Sequence, residues 1–252
     1  MHSVLCTQKK SPPKPETPTP KLRSVPLDPL AALTEEKREQ LADFERMLVE
    51  FNAKINLISR PSEPRIRTEH TLHSLALTWK AFPPGAQVVD FGSGGGLPAV
   101  PLAIAFPEAQ FTAVDASGKK AHAVRAMGRR LGLDNLTAQQ HRAEEWPGVA
   151  GWSVTRATAP LETLWHWHRR VFRPPGAVGA GDWSPGLLAL KGGPLADEIA
   201  ALRNASPGTQ VEEYPLEPLL GPDFFAGKCI VAVRQRGERG REREPAASPL
   251  QA

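Results

Sequence analysis

Apolar residues recur at helical spacing in two stretches near the beginning of the chain. Over Thr34–Phe51 they lie three and four positions apart, as at Leu41 and Phe44, and this spacing predicts an amphipathic helix. The same spacing over Thr68–Lys80 predicts a second helix. We expect these two helices to form an N-terminal helical layer over residues 30–85.

From residue 87 onward, short apolar runs alternate with helical stretches. In chain order, the predicted strands and helices are Val88–Val89, 98–106, Phe111–Val114, 119–131, Leu136–Gln139, Trp152–Thr155, 160–171, Leu187–Leu190, 194–203 and Cys229–Val233. Strands and helices that alternate in this way are typical of a doubly wound sheet with mostly parallel strands. The pattern therefore predicts a Rossmann-like α/β domain over residues 86–235.

Both ends of the chain lack this pattern. Residues 1–29 contain seven prolines, which disfavour helix and sheet alike, and we expect a disordered Pro-rich arm there. Residues 236–252 are rich in Arg and Glu, and we expect a disordered tail. The formal net charge is +4, yet residues 31–233 hold 21 basic and 22 acidic residues. Binding of a polyanion would therefore rely on local groups of cations.

Composition excludes several classes of protein. The chain has 252 residues, which suffice for one α/β domain with a sizeable core. The two cysteines, Cys6 and Cys229, are far apart and have no metal-ligand spacing, which argues against a disulfide framework or a zinc module. The apolar stretches are well short of the roughly 20 residues that a bilayer requires. Near the N-terminus, prolines occupy the positions where a signal peptide would have its apolar segment. We expect a cytoplasmic protein with no membrane segment and no metal.

A glycine-rich loop follows the first predicted strand of the sheet. Asp90 ends this strand, and Gly92, Gly94 and Gly96 come directly after it. Glycines allow positive φ and close approach of a ligand at the edge where open α/β sheets bind their ligands. A dinucleotide fingerprint needs a glycine where Leu97 stands. The Asp90 carboxylate would repel a pyrophosphate but suits an ammonium group, such as that of S-adenosylmethionine.

A second acidic residue, Asp115, ends the next predicted strand. A carboxylate in this place can accept hydrogen bonds from both hydroxyl groups of a ribose. Because nicotinamide cofactors use the same contact, Asp115 alone does not distinguish the two classes of cofactor.

Short motifs follow one another along most of the chain. They are Phe51–Leu57, Asp90–Pro98, Asp115–Lys120, Arg142–Glu145, Thr155–Ala157 and Ala189–Gly192. In this order they resemble the motifs of the bacterial 16S rRNA guanine-N7 methyltransferases, the RsmG or GidB family. The resemblance runs from about Leu41 to Val233. It implies a class I S-adenosylmethionine-dependent methyltransferase fold and methylation of N7 of guanine 527 in 16S rRNA.

The resemblance also implies individual contacts with the cofactor. Carried over position by position, these contacts are at Gly92, Leu97, Ala143, Glu144 and Arg156. The family usually has Trp at the position of Phe51 and Gly at the position of Ala99.

One segment departs further from the family pattern. Where the family has Arg-His-x-x-Asp-Ser, this chain has Glu69 and His73 in place of the Arg and the Asp, while His70 and Ser74 are retained. No role is assigned to Glu69 or His73 for that reason.

Guanine N7 offers a lone pair and has no proton to lose. We therefore expect no general base and no catalytic side chain, and catalysis that rests on positioning and on exclusion of water.

Several polar residues are candidates for contact with RNA. Lys119, Lys120 and Arg125 belong to a predicted helix, where the alternative is a solvated helix face. Arg142 follows a predicted strand and can clamp a phosphate or form an ion pair. Lys191 also follows a strand, with a solvent-exposed lysine as the alternative.

Asn52 lies at the end of the first predicted helix. Its amide can touch the edge of a base, but capping of the helix end is the interpretation that we favour.

The expected partner is 16S rRNA or a precursor of the small ribosomal subunit, bound by a monomer. One alternative is a methyltransferase of another RNA or of a small molecule. A nicotinamide-dependent oxidoreductase is disfavoured by Leu97, and a non-catalytic RNA-binding module by the retained Gly92, Asp115 and Arg156.

Overall fold

A computed structural model of the chain describes residues 28–156 and 159–236. Nearly all of the predicted Pro-rich arm and of the Arg- and Glu-rich tail lies outside these ranges, as does Ala157 of the Thr155–Ala157 motif.

The first predicted helix is confirmed as α1, Glu35–Asn52. Thr34 begins it, because its hydroxyl accepts a hydrogen bond from the Lys37 N–H at 3.4 Å. Leu41 and Phe44 are buried and face the core, as the helical spacing requires.

The prediction of a second helix as one regular element is wrong. The chain instead forms a 3₁₀ helix at Arg60–Arg65, a π-helical turn at Arg67–Leu72, one α-helical turn, α2, at His73–Leu75, and a 3₁₀ turn at Ala76–Trp79. A π turn inserts one residue into the helical repeat, so the faces before and after it no longer align. We call this stretch the irregular helical segment 60–79.

The predicted doubly wound sheet is confirmed, and the described residues form seven strands in the order β3-β2-β1-β4-β5-β7-β6. The strands are β1 Gln87–Phe91, β2 Gln110–Asp115, β3 Leu136–Gln140, β4 Trp152–Arg156, β5 Gly186–Gly192, β6 Thr209–Pro215 and β7 Lys228–Gln235. The first five pair in parallel, whereas β7 lies antiparallel between β5 and β6. Strand β6 was not predicted from the sequence.

Helices cover both faces of the sheet. They are α3 Ala99–Ala105, α4 Gly118–Arg130, α5 Leu161–Val171, α6 Ala196–Ala205, α7 Glu217–Leu220 and α8 Pro222–Phe225. Helix α1 packs with α3 and α4 in one apolar cluster, and α5 packs with α6 against the opposite face of β5 and β7. The N-terminal helix thus lies on the face that α3 and α4 cover.

The order of the strands creates a switch point between β1 and β4. From β1 the chain moves outward to β2 and β3, and from β4 it moves in the opposite direction to β5. Ligands of open α/β sheets bind beyond the carboxyl ends of the strands at such a point. Asp90 near the end of β1 and Arg156 at the end of β4 flank it.

Candidate active site

The glycine loop turns sharply above the end of β1. Gly92, Gly94 and Gly96 have φ of 71°, 54° and 85°, a region that favours glycine over residues with a side chain. The N–H groups of Gly92 and Ser93 both donate to the carbonyl of Val114 on β2, at 2.8 and 3.0 Å. These bonds hold the loop between the two strands, and Gly92 and Gly94 stay partly exposed.

Asp90 is buried beneath this loop, with 1% of its surface exposed. One carboxylate oxygen, Oδ2, accepts a hydrogen bond from the N–H of Ala99 at 3.1 Å. The other, Oδ1, has no hydrogen-bond partner among the described residues. Burial raises the pKa of this carboxyl group to about 7, against the opposing effects of the Ala99 N–H and the Arg156 charge.

Asp115 supports the same loop from β2. Its Oδ2 accepts from the N–H of Gly94 at 2.9 Å, and its Oδ1 accepts from the N–H of Ser117 at 2.8 Å. The side chain is half-buried. Each carboxylate oxygen has a second lone pair, so both can still accept a hydrogen bond from a ligand.

The chain after β3 contributes the next predicted residues. Ala143 and Glu144 form a 3₁₀ turn with Glu145, and Ala143 is buried whereas Glu144 is exposed. Arg142 lies 3.7 Å from Glu144 in an exposed ion pair, which by itself contributes little to stability. These residues follow β3, at the same edge of the sheet as the glycine loop.

Arg156 ends β4 and points toward the irregular helical segment 60–79. Its Nη1 donates to the carbonyl of Glu69 at 3.0 Å and to Nδ1 of His70 at 2.8 Å. Burial lowers the pKa of the guanidinium to about 10, and the charge of Asp90 opposes this shift. The arginine remains a cation at neutral pH, located between the helical segment and Asp90.

The basic residues proposed for RNA fall into two groups. In the first group, Lys119, Lys120 and Arg125 lie on α4, and Arg142 follows β3. All of them are exposed except Lys120, which is half-buried. Arg125 also donates to the carbonyl of Ala138 at 2.7 Å, which orients its guanidinium along β3.

Lys191 does not belong to this exposed group. Its Nζ donates to the carbonyl of Ala159 at 2.7 Å and to Oε2 of Glu198 at 2.9 Å, and only 10% of its side chain is exposed. The structure therefore corrects the expected RNA contact, because this ammonium group is already paired inside the protein.

The side chain of Asn52 is likewise hydrogen-bonded within the protein. Its Oδ1 accepts from the N–H groups of Leu57 and Ile58 at 2.8 and 3.0 Å, its Nδ2 donates to Glu63, and the residue is 2% exposed. The amide thus fixes the loop after α1, and both of its polar atoms are engaged within the protein. The expected helix cap is therefore corrected as well, because the amide bonds to the loop after α1 and to Glu63 and to no carbonyl of the helix.

Two polar residues near the site were not assigned a role from the sequence. His70 contacts Arg156 directly, and the hydroxyl of Ser93 in the glycine loop is buried without a hydrogen-bond partner among the described residues. The retained histidine in an otherwise altered family motif was the one signal for His70. Ser93 carried no signal apart from its place between two glycines.

No group of three or more His, Cys, Asp or Glu side chains in the described ranges is arranged to hold a metal ion. None of the helices in those ranges is long and apolar enough to span a bilayer.

Comparison with known proteins identifies close relatives. A family model described as rRNA small subunit methyltransferase G, GidB, matches residues 37–219. The ribosomal RNA small subunit methyltransferase G of Salinibacter ruber is 55% identical over 207 residues, which cover 82% of this chain and 96% of that protein. The protein of the same name from Chlorobaculum tepidum is 41% identical over 201 residues, covering 77% and 88%.

Solved structures of lower sequence identity share the fold. A magnesium protoporphyrin IX methyltransferase from Synechocystis, solved with bound S-adenosylmethionine, superposes with a TM-score of 0.54 at 13% identity, over 82% of this chain and 99% of that one. A ribosomal protein L11 methylase from Lactobacillus delbrueckii superposes with a TM-score of 0.50 at 13% identity, over 67% and 79%. At this level of identity the similarity shows the methyltransferase fold alone.

Proposed function

The chain belongs to the GidB family of rRNA small subunit methyltransferases, and we propose that it uses S-adenosylmethionine to methylate N7 of guanine 527 in 16S rRNA. The observation that carries the proposal is the family match over the glycine loop and its two carboxylates. The finer parts, N7 and the position of the guanine, come from the resemblance of the motifs.

The residues at the glycine loop fit S-adenosylmethionine chemically. Asp90 Oδ1 and Ser93 Oγ are buried polar atoms without a partner among the described residues, and such atoms cost free energy unless a ligand or water satisfies them. An anionic acceptor at Asp90 suits an ammonium group. Asp115 has lone pairs left for the hydroxyls of a ribose. The two carboxylates would thus hold two different parts of the same ligand, the amino-acid end and the ribose.

The remaining predicted contacts would complete the cofactor site. Gly92 and Gly94 present backbone without side chains, and Leu97 contributes buried apolar surface. Ala143 and Glu144 would approach from the end of β3, and Arg156 from the end of β4. Each of these assignments is a proposal carried over from the family motifs.

The cofactor supplies an electrophilic methyl group on a sulfonium. The guanine N7 lone pair lies in the plane of the base and carries no proton, so no side chain of this protein has to act as a base. The protein's contribution is to hold the base and the cofactor in line and to exclude water. The proposed reaction therefore needs no catalytic residue in the strict sense.

Cations on α4 and after β3 would bind the RNA backbone. Lys119, Lys120, Arg125 and Arg142 provide positive charge beside the cofactor site, while the chain between its ends has almost no net charge. Contacts with phosphate position an RNA, and the pocket itself would select the base. We propose that the protein does this as a monomer, in the cytoplasm, where ribosomal subunits are assembled.

Two measurements test the substrate. Nucleoside mass spectrometry of 16S rRNA from a strain without the gene should show loss of one N7-methylguanosine, and the purified protein with S-adenosylmethionine should restore it. If every N7-methylguanosine remains, the assignment is wrong, and methylation of another RNA or of a small molecule becomes the function to test.

The cofactor site is tested by Asp115→Ala. Loss of the ribose contacts should weaken binding of S-adenosylmethionine by about 1–3 kcal/mol, measured by calorimetry on protein that melts cooperatively. Asp134→Ala, which removes an exposed carboxylate beside the start of β3, serves as the control and should leave the affinity unchanged. Unchanged affinity in Asp115→Ala would place the ribose elsewhere.

A further inference from the structure

A continuous hydrogen-bonded chain joins Arg156 to the irregular helical segment 60–79. Arg156 Nη1 lies 2.8 Å from His70 Nδ1, and His70 Nε2 lies 2.8 Å from Ser62 Oγ. The Ser62 hydroxyl in turn lies 2.7 Å from the carbonyl of Ser59. We call this chain the Arg156–His70–Ser62 relay.

The relay has one consistent arrangement of protons. A guanidinium only donates hydrogen bonds, so Nδ1 of His70 has to be an acceptor and the ring proton lies on Nε2. Nε2–H then donates to Ser62 Oγ, and the Ser62 hydroxyl donates to the carbonyl of Ser59. His70 therefore works as a neutral imidazole with a defined tautomer.

Its surroundings keep the imidazole neutral. His70 is 8% exposed, and burial lowers its pKa to about 4, with a further lowering by the Arg156 charge and a smaller opposite effect of Glu69. A second hydrogen bond, from Ser74 Oγ to the carbonyl of His70 at 2.8 Å, fixes the backbone that carries the ring. At neutral pH the histidine thus has no charge that could repel the guanidinium.

We propose that His70 is the positioning residue for Arg156, accepting a hydrogen bond that aims the guanidinium at the ligand edge between β1 and β4. The inference rests on the proposed function, in which Arg156 contacts the cofactor. Arginine has four rotatable side-chain bonds, and its placement at the end of a strand requires partners that limit them. The relay supplies such a partner from a segment 86 residues away in the sequence.

A pair of substitutions separates the two hydrogen bonds of His70. In His70→Asn, the amide oxygen takes the place of Nδ1 and can still accept from Arg156, while the bond to Ser62 is lost. In His70→Gln, the longer amide reaches toward Ser62, while a methylene group replaces the acceptor. The two variants lose similar amounts of ring packing, so their difference reports on the contact with Arg156.

The expected result is a split between these variants in cofactor binding. By calorimetry, His70→Gln should raise the Kd for S-adenosylmethionine about tenfold or more, as expected for loss of a hydrogen bond to a charged group, and His70→Asn should stay within about threefold of the unchanged protein. Methylation of small subunits should show the split in the KM for the cofactor. Equal effects of the two substitutions would mean that His70 acts through packing alone, and would overturn the inference.

A matched control is offered by His168, a buried histidine whose Nδ1 lies 2.8 Å from Ser153 Oγ. His168→Asn and His168→Gln should lower the melting temperature without a split in the Kd. A split of the same size there would show that the comparison measures general loosening of the protein, and would also overturn the inference.

Nitrogen NMR of the unmodified protein tests the relay directly, whether or not the variants fold. With ¹⁵N-labelled histidine, His70 should show an unprotonated Nδ1 and a protonated Nε2, and Arg156→Ala should shift the Nδ1 resonance most. A protonated Nδ1 would refute the relay. Failure of the unmodified protein to bind S-adenosylmethionine or to methylate 16S rRNA would instead refute the proposed function, so the two failures are distinguishable.

Discussion

Asp90 lies one residue before the end of β1 and Asp115 ends the neighbouring β2, yet their surroundings differ. Asp115 accepts two backbone N–H groups and is half-buried, whereas Asp90 accepts one and is almost fully buried. Burial penalises the charged form, and for Asp90 this penalty outweighs the hydrogen bond from Ala99 and the attraction of Arg156, so its pKa rises to about 7. The charge of Asp90 therefore changes near neutral pH.

A pH dependence of cofactor binding follows. Only ionised Asp90 attracts an ammonium group, so the affinity for S-adenosylmethionine should increase as the pH rises from 6 through about 7. Calorimetry in buffers of matched ionic strength would measure this increase. Above about pH 8, the α-amino group of the ligand loses its own proton, and the affinity should fall again.

Asp90→Asn provides the comparison for this pH dependence. It should bind more weakly at pH 7.5 and should lose the increase on the acid side, because the amide does not titrate. An increase of the same size in Asp90→Asn would assign the titration to another group.

Single residues also show where sequence reasoning reaches its limit. Lys191 and Asn52 carry the polar groups expected at an RNA contact, but Glu198 and Glu63 occupy those groups inside the protein. A residue type states which hydrogen bonds a side chain can form. Whether a protein group or a ligand forms them depends on neighbours that only the folded chain brings together.

At the scale of elements, the glycine loop has little room for a side chain at Gly96. A Cβ atom on Gly96 would lie 2.5 Å from Cγ2 of Val100, and its φ of 85° is already unfavourable for other residues. Gly132 has a similar φ of 67°, but a Cβ atom there would meet nothing within 4 Å. Substitutions at these two glycines therefore distinguish the cost of backbone strain from the cost of a steric clash.

We expect Gly96→Ala to lower the free energy of unfolding by about 2–5 kcal/mol, combining backbone strain with overpacking. Gly132→Ala should cost about 1–2 kcal/mol, from backbone strain alone. Urea denaturation of both variants measures the difference. Equal costs would show that α3 moves to make room, and that the loop is less tightly packed than its contacts indicate.

Elements with a strong local pattern were predicted well, and elements without one were not. Strands β1 and β2 contain short apolar runs, and β4 is rich in residues that favour strands, so their local sequence identifies them. Strand β6 reads Thr-Gln-Val-Glu-Glu-Tyr-Pro, and only Tyr214 in it is buried. It exists because β7 pairs with it along seven positions, and such pairing is a tertiary contact that a local pattern does not contain.

At the scale of the whole molecule, burial keeps several histidines neutral. The pKa values of His70, His73 and His168 are lowered to about 4, 3 and 3, in each case mainly by burial. In the unfolded chain these groups titrate near 6.5. Between pH 4 and 6.5 the unfolded state therefore binds more protons at these positions, and stability is lost as the pH falls through this range.

Asp90 acts in the opposite direction. Its folded pKa of about 7 lies above the unfolded value of 3.8, so in the same range the folded state holds a proton that the unfolded state releases. Because three histidines take up protons on unfolding and Asp90 releases one, the histidines determine the sign of the pH dependence. The free energy of unfolding should therefore decrease from pH 6.5 to pH 4.5, which urea denaturation at several pH values would show.

His168→Gln should reduce this dependence. The substitution removes one of the three histidines that take up a proton on unfolding. Near pH 5 the slope of the free energy of unfolding against pH should therefore decrease by roughly 1.4 kcal/mol per pH unit. His166→Gln, at an exposed position of the same helix α5, is the control and should leave the slope as it is. A slope that His168→Gln does not change would mean that this histidine is charged in the folded state.

Much of this protein was determined by local sequence. Alternating apolar runs specify the strands and helices, and the Asp90–Pro98 motif specifies the glycine loop, because backbone conformation and amphipathic faces depend on neighbouring residues. The tertiary structure alone decided which of the proposed RNA-binding cations are exposed, where β6 and β7 pair, and that His70 meets Arg156. Those outcomes depend on contacts between residues far apart in the chain, and such contacts form only when the sheet and its helical layers assemble.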